Sequence, residues 1–282
     1  MMENKKTEDL DQDIHLADVA EAFSRKALVY DSFGQNHEHL DYMRQKVRSH
    51  VLALLHDGDH ILELNAGTGA DAVFFAQKGY PVHAIDLSPG MVAEIKRKVS
   101  QYHLGESLTV QQCSYTELEQ VKSGPFQVVF SNMGGVNCTH DLSLITRNLK
   151  SLLAPGGIVT WVVMPHICPW ELLQVFRGNL KTAKRRLSNS GTLANVEGVH
   201  FWTYYYSPGQ VMRAFGSDFH PIKLQGLSVF TPTADVKYFS VHHPHFYRFL
   251  RALDERLSNL PPFNSLGDFF ILSLKYLPLA GG

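Results

Sequence analysis

The side chains best suited to chemistry stand close together in the chain. Glu63 follows an apolar run, Ile61-Leu62, that Leu64 continues, and Asp86 ends another, Val82-His83-Ala84-Ile85. Runs of this kind are central parallel strands covered on both faces. A carboxylate at the end of such a strand needs donors, which come from loop backbone or from a charged ligand group. Between the two acids lies Asn65-Ala66-Gly67-Thr68-Gly69. Its glycines let the backbone approach a ligand and take positive φ, and Asn is the non-glycine type that best tolerates that region. A helix expected over 70–78 then aims its first N–H groups at whatever the loop holds. Asp86 lies seventeen residues beyond Gly69. An acid there accepts hydrogen bonds from both hydroxyls of a ribose and disfavours a phosphate.

Two ligand classes fit this strand–helix–strand unit, a nicotinamide or flavin dinucleotide and S-adenosylmethionine. The first wants Gly-x-Gly-x-x-Gly. Here Ala70, Asp71 and Ala72 follow Gly69; Asp71 would repel a pyrophosphate, and no basic residue lies nearby to offset it. Glu63 to Gly69, with Asp86 ending the next strand, instead resembles the first motif of the class I S-adenosylmethionine-dependent methyltransferases. Asn65 stands where that family usually has its first glycine.

The resemblance implies an α/β fold, a doubly wound, mostly parallel, seven-stranded Rossmann-like sheet whose last strand is antiparallel, with N-terminal helices and a lid insertion. It implies S-adenosylmethionine as cofactor and S-adenosylhomocysteine as product, held by Glu63, Asn65, Ala66, Gly67, Thr68, Gly69 and Asp86. Leu87 and Met91 would line the adenosine pocket, and Ser88 would cap the helix that Pro89 starts. Ser114 and Tyr115 fall where the family contacts the adenine, although no acid stands there. Ser131, Asn132 and Met133 follow the strand 126–130, at the carboxyl end where ligands bind. Phe23 to Phe33 resembles the helix that closes over the cofactor in methyltransferases of the quinone-biosynthesis type. Within it Tyr30 either contacts the methionine end or packs in the core.

The elements that must position these groups follow in order. Residues 1–13 are polar and read as a disordered tail. Apolar residues at helical spacing make 14–56 a helical cap, and 57–164 is the cofactor-binding core. A helix is expected over 141–153, and Leu152-Leu153-Ala154-Pro155-Gly156-Gly157 turns into the fifth strand. Residues 165–207 break the alternation and read as a substrate lid. Trp170 and the alternating Trp202, Tyr204 and Tyr206 suit an aromatic acceptor pocket. The segment 208–282 completes the sheet.

Composition removes other classes. A net charge of −1, from 26 basic against 27 acidic residues, argues against a broad nucleic-acid surface. Three widely spaced cysteines and fifteen histidines without ligand spacing indicate neither a disulfide framework nor a metal site. With no leader and no membrane span, a cytoplasmic location is expected.

The expected function is methyl transfer to a small, aromatic or apolar acceptor, by O-, N- or C-methylation. Where the acceptor carries a tightly held proton, His166 and then His140 are the candidate bases. A carrier-bound acyl group or RNA docking on the basic helix 181–186, and a non-catalytic cofactor-binding subunit, are the alternatives. DNA is not expected. The oligomer is either a monomer or a homodimer.

Overall fold

Each strand from 61 to 163 is followed by a helix or turn too long for a hairpin, so neighbouring strands run parallel. A computed structural model describes residues 2–278, with side chains over 12–278. It contains β1 (Ile61–Leu64), β2 (Val82–Asp86), β3 (Leu108–Gln112), β4 (Phe126–Ser131), β5 (Leu153–Val163), β6 (Thr192–Val196), β7 (Val199–Thr203), β8 (Phe219–Leu227) and β9 (Phe269–Tyr276). The sheet order is β3-β2-β1-β4-β5-β9-β8. β9 alone is antiparallel to both its neighbours, leaving six strands in one direction. This is the doubly wound, seven-stranded arrangement that the resemblance implied.

β1 pairs with β2 on one side and β4 on the other, with Leu64 opposite Ser131. The loops leaving β1 and β4 therefore face each other at the point where strand order reverses, which is where open α/β sheets bind ligands. Alternation along β1 divides its side chains between two cores. Leu62 and Leu64 join Phe126, Trp161 and Phe215 on one face, and Ile61 joins Met43, Phe75 and Phe130 on the other. Glu63 shares neither the phase nor the face of Leu62 and Leu64.

The helices are α1 (Met2–Phe33), α2 (Glu38–Leu52), α3 (Ala70–Gln77), α4 (Pro89–Gln101), α5 (Ser143–Thr146), α6 (Leu149–Leu152), α7 (Pro169–Leu172), α8 (Leu180–Lys184), α9 (Pro208–Phe215), α10 (Phe239–His242) and α11 (Pro244–Leu257). Ser88 caps α4 as expected, its hydroxyl accepting from the Met91 N–H at 3.2 Å. α1 begins at Met2 where the sequence reading placed a disordered tail to residue 13. Polarity without apolar period signals disorder, yet no glycine or proline precedes Gly34, and a helix nucleated further on propagates through such residues at little cost. The helix expected over 141–153 is instead broken into α5 and α6. Asn148 at the break takes φ −100°, ψ −4° and spends its amide on Glu119, as Asn tends to do in preference to helix.

The insertion holds α7, α8 and a separate hairpin of β6 and β7. Its two-residue turn, Glu197-Gly198, takes φ 50° and 81°, the positive values that a tight hairpin needs. Buried charge ties the insertion to the sheet. Arg186, 4% exposed, donates to Glu171 at 2.7 Å and to the Asp268 carboxylate and carbonyl at 2.7 Å. Cys168, Glu171 and Asp268 bring ligand atoms within 4.8 Å of one another. The Arg186 guanidinium already holds both acids there. Among the described residues no helix is long and apolar enough to cross a membrane.

Candidate cofactor and acceptor site

The β1 loop is built as its residue types require. Asn65, Gly67 and Gly69 all have positive φ, at 44°, 56° and 75°. Asn65 is fastened from the side, its carbonyl oxygen accepting from the Ser131 hydroxyl at 2.8 Å. Gly135 leaves room for it: a Cβ on Gly135 would stand 1.8 Å from Asn65 Nδ2. The family's first glycine is thus replaced by a larger residue whose side chain occupies space vacated at Gly135. Gly67 opens onto free space, with no atom within 4 Å of a Cβ placed there.

Asp86 closes the loop from the next strand. Its two oxygens accept from the Gly67 N–H at 2.8 Å and the Ser88 N–H at 2.9 Å. Burial pushes its carboxyl up to about 6, against the pull of those two N–H groups. Asp71, in the first turn of α3, meets a cation that the sequence did not place near it: Arg48 Nε of α2 lies 2.6 Å from its carboxylate. Charge at Asp71 is therefore no obstacle to a phosphate, and the missing third glycine, with Ala72 fully buried in its place, is what remains against a dinucleotide.

These groups border one cavity of about 450 Å³, within the usual range for a ligand site. Of the residues singled out for the cofactor, Tyr30, Asn65, Gly67, Asp86, Leu87, Met91, Tyr115, Asn132 and Met133 line it. The Tyr115 hydroxyl is buried without a side-chain or backbone partner. The others lie behind the wall. Glu63 faces the α2–α3 layer, where burial, then Asp71, raises its carboxyl well above the usual range. Ala66 is buried, and Gly69 faces Ile95, 2.9 Å from where its Cβ would be. Ser114 bonds Thr116 at 2.7 Å, and Ser131 holds Asn65. Thr68 donates to Asp31 of α1 at 2.6 Å, and Lys98 of α4 bonds both Asp31 and the Thr68 carbonyl. Thr68 thus anchors α1 over the loop. Asn132 is partly committed as well, donating to Asp71 at 2.6 Å.

The second half of the cavity was mostly missed. α1 supplies Leu16, Val19, Ala20 and Phe23, and the hairpin supplies Leu193, Ala194, Val196, Phe201 and Thr203. Tyr205, Arg185 and Asp235 make its polar end. The hairpin's inward phase is 201, 203, 205, opposite to the aromatic set expected. Trp202 is 44% exposed and, with Tyr204, borders a separate outer cleft. Tyr206 is in the core and donates to the Thr139 carbonyl. Trp170 donates to the Phe230 carbonyl at 2.7 Å and meets Phe239 edge-on. With period two, choosing the phase by aromatic content rather than by total apolar character inverts the face. The signal available was the alternation in Ala194-Asn195-Val196 and Val199-His200-Phe201.

Neither candidate base is on the cavity. His166 is held away from it by the Arg186 carbonyl at 3.0 Å and the Gln210 side chain at 3.3 Å. His140 borders the outer cleft beside Tyr204. Among the described residues no histidine lines the cavity. Chain adjacency to a strand end selected both; side-chain direction, which adjacency does not report, excludes both.

The state of Asp86 sets a pH dependence. An ionised carboxylate accepts from two ribose hydroxyls, so below its pKa binding must first expel a proton. With that pKa at about 6, affinity for S-adenosylhomocysteine should be level above pH 7 and about tenfold weaker at pH 5. Calorimetric titration across pH 5–8 checks this; an affinity unchanged at pH 5 would show that Asp86 does not carry the contact.

Residues 61–157 match a family model described as a methyltransferase domain. A non-reducing polyketide synthase of Penicillium rubens is 31% identical over 120 residues, 39% of this chain and 4% of the synthase. A malonyl-[acyl-carrier protein] O-methyltransferase of Serratia marcescens is 29% identical over 147 residues, half of each chain. The chain therefore spans no more than half the length of these curated relatives. In structure it is similar to the 1,6-didemethyltoxoflavin-N1-methyltransferase of Burkholderia thailandensis, solved with its substrate and S-adenosylhomocysteine. The TM-score is 0.55 at 15% identity, covering 93% of this chain and 88% of that one. Residues 61–157 thus form a methyltransferase domain by that match, and the sheet order and the chemistry of the β1 loop agree with the fold of S-adenosylmethionine-dependent methyltransferases.

Proposed function

We propose that the protein methylates an apolar, partly aromatic acceptor bound between α1 and the β6–β7 hairpin. One observation carries this reading: the cavity that begins at Asp86 continues, unbroken, into a wall of Leu16, Val19, Phe23, Ala194, Val196 and Phe201. Asp86 would hold the ribose hydroxyls, Leu87 and Met91 the adenine faces, and Tyr115 a polar edge. Bound there, S-adenosylmethionine supplies a methyl carbon activated by a sulfonium. The chain's own contribution is positioning and the exclusion of water, which provide much of the rate in a displacement of this kind. Thr203, Tyr205 and Arg185 orient the acceptor's polar end. Asp235 is the carboxylate at that end able to take a proton.

A second reading, an acyl acceptor tethered to a carrier, is supported by the way the cavity reaches the surface. Arg185 and Asp235 both line it, their side chains 37% and 77% exposed and 3.9 Å apart. The Serratia relative acts on a carrier-bound malonyl group by its name. Incubating the protein with methyl-labelled cofactor and two panels, free aromatic acceptors and acyl thioesters, tests both. Label should pass to a member of one panel, with loss on Phe201→Arg; transfer to neither would remove the proposed acceptor classes.

A further inference from the structure

The chain segments that flank Arg185 and Asp235, the two charged residues at the cavity's polar end, carry two features that a small free acceptor does not need. The first is exposed apolar area. Leu173, Val175, Phe176 and Leu180 are 49%, 45%, 86% and 52% exposed on the short helical turns from α7 to α8. On the segment that follows Asp235, whose carboxylate lies 3.9 Å from Arg185, Val236, Tyr238 and Val241 are 38%, 59% and 67% exposed. This is not the looseness of an unanchored segment, because its inner side is fixed by the buried Arg186 network and by Ala183, 3% exposed. The second feature is charge. Of the five basic residues in 172–196, Arg185 and Arg186 are spent on Glu171 and Asp268, and three carry no such pairing. Arg177, Lys181 and Lys184 are exposed among the apolar side chains. Asp235 is the acid at the opening, and it faces Arg185.

We infer that this collar is a docking surface for a small acidic protein, which delivers the acceptor into the cavity on a flexible tether. The proposal rests on the tethered-acceptor reading of the same site. Contiguous exposed apolar residues mark interaction surfaces, and a one-signed charged surround selects a partner of opposite sign and speeds its arrival. A nucleic acid is the poorer occupant. The exposed apolar residues are mainly aliphatic, with Phe176 and Tyr238 the two rings among Leu173, Val175, Leu180, Val236 and Val241, whereas single strands are held by successive stacked aromatic rings.

The test measures binding directly, so that it does not depend on turnover. An acyl carrier protein bearing an acyl-phosphopantetheine arm is titrated into wild type, the triple variant R177E/K181E/K184E, and Phe176→Ser. The same acyl group on N-acetylcysteamine and S-adenosylhomocysteine serve as controls. Wild type should bind the loaded carrier more weakly as salt rises, and each variant should weaken that binding about tenfold or more. Affinity for S-adenosylhomocysteine and for the free thioester should be unchanged in both variants, since none of these residues lines the cavity. Carrier binding equal in variants and wild type, or absent from wild type, overturns the proposal. So does a homodimer that Phe176→Ser dissociates, or tight binding of single-stranded RNA that the charge reversals abolish. Loss of S-adenosylhomocysteine binding in wild type would instead sink the methyltransferase reading, which keeps the two failures apart.

Discussion

Asp86→Ala should bind S-adenosylhomocysteine about 100-fold more weakly than wild type, or worse, while remaining folded. Two charge-assisted hydrogen bonds to ribose hydroxyls are lost, each contributing about 1.5–3 kcal/mol. A second effect runs in the same direction. The carboxylate also accepts from the Gly67 and Ser88 N–H groups, so its removal unfastens the loop that meets the ligand. Asp86→Asn keeps the shape and one acceptor oxygen, but its Nδ2 faces one of the two N–H groups that the carboxylate accepted from. Its thermal midpoint should fall less than that of Asp86→Ala, while much of the affinity is still lost. Calorimetry beside a melting curve reads both, and an Asp86→Ala protein with wild-type affinity would remove the basis of the cofactor assignment.

Gly135→Ala is the second large effect, and it needs no ligand to be seen. The new Cβ would lie 1.8 Å from Asn65 Nδ2 and 2.1 Å from Asn65 Cγ. Gly135 does not have positive φ, so backbone strain plays no part and the whole effect is steric. Overpacking of this kind costs about 1–3 kcal/mol or more. Displacing Asn65 also breaks its bond to Ser131 and shifts the β1 loop. Stability and cofactor affinity should fall together. The pair Gly135→Ala with Asn65→Gly restores the family's usual glycine and removes the clash, so it should recover most of both. Failure of Asn65→Gly to rescue would show that Gly135 matters for another reason.

The parts of the site that were legible in the sequence are those fixed by local backbone chemistry. A buried strand, a loop of glycines with Asn65, and an acid ending the next strand need only neighbours in the chain, and these placed Asn65, Gly67 and Asp86 on the cavity. Ser88 as a helix cap is of the same kind. What failed depended on direction or on distant partners. Glu63 looked like a ligand because of its position after Leu62, but strand alternation turns it to the opposite layer. Arg48 neutralises Asp71 across 23 positions of sequence, which no local pattern reports. The acceptor wall was assigned to Trp202, Tyr204 and Tyr206 because their rings drew attention, and the period-two rule then put the error on every member at once. His166 and His140 failed for the same reason in simpler form.

The β6–β7 hairpin forms a two-stranded sheet of its own and shares no ladder with the seven main strands. Its inner face lines the cavity, while the charges that bolt the insertion in place belong to Glu171, Arg185, Arg186 and Asp268, outside the hairpin. Selectivity and foldability are therefore assigned to different residues. Positions such as Leu193, Ala194, Val196 and Thr203 lie outside the main sheet and its anchors, and changes there are bounded by the packing of Ala194 and Val196 on Ala22, Cys138 and Phe201. A lineage carrying this scaffold can acquire new acceptors by point substitution along one short ribbon, keeping the rest of the molecule intact.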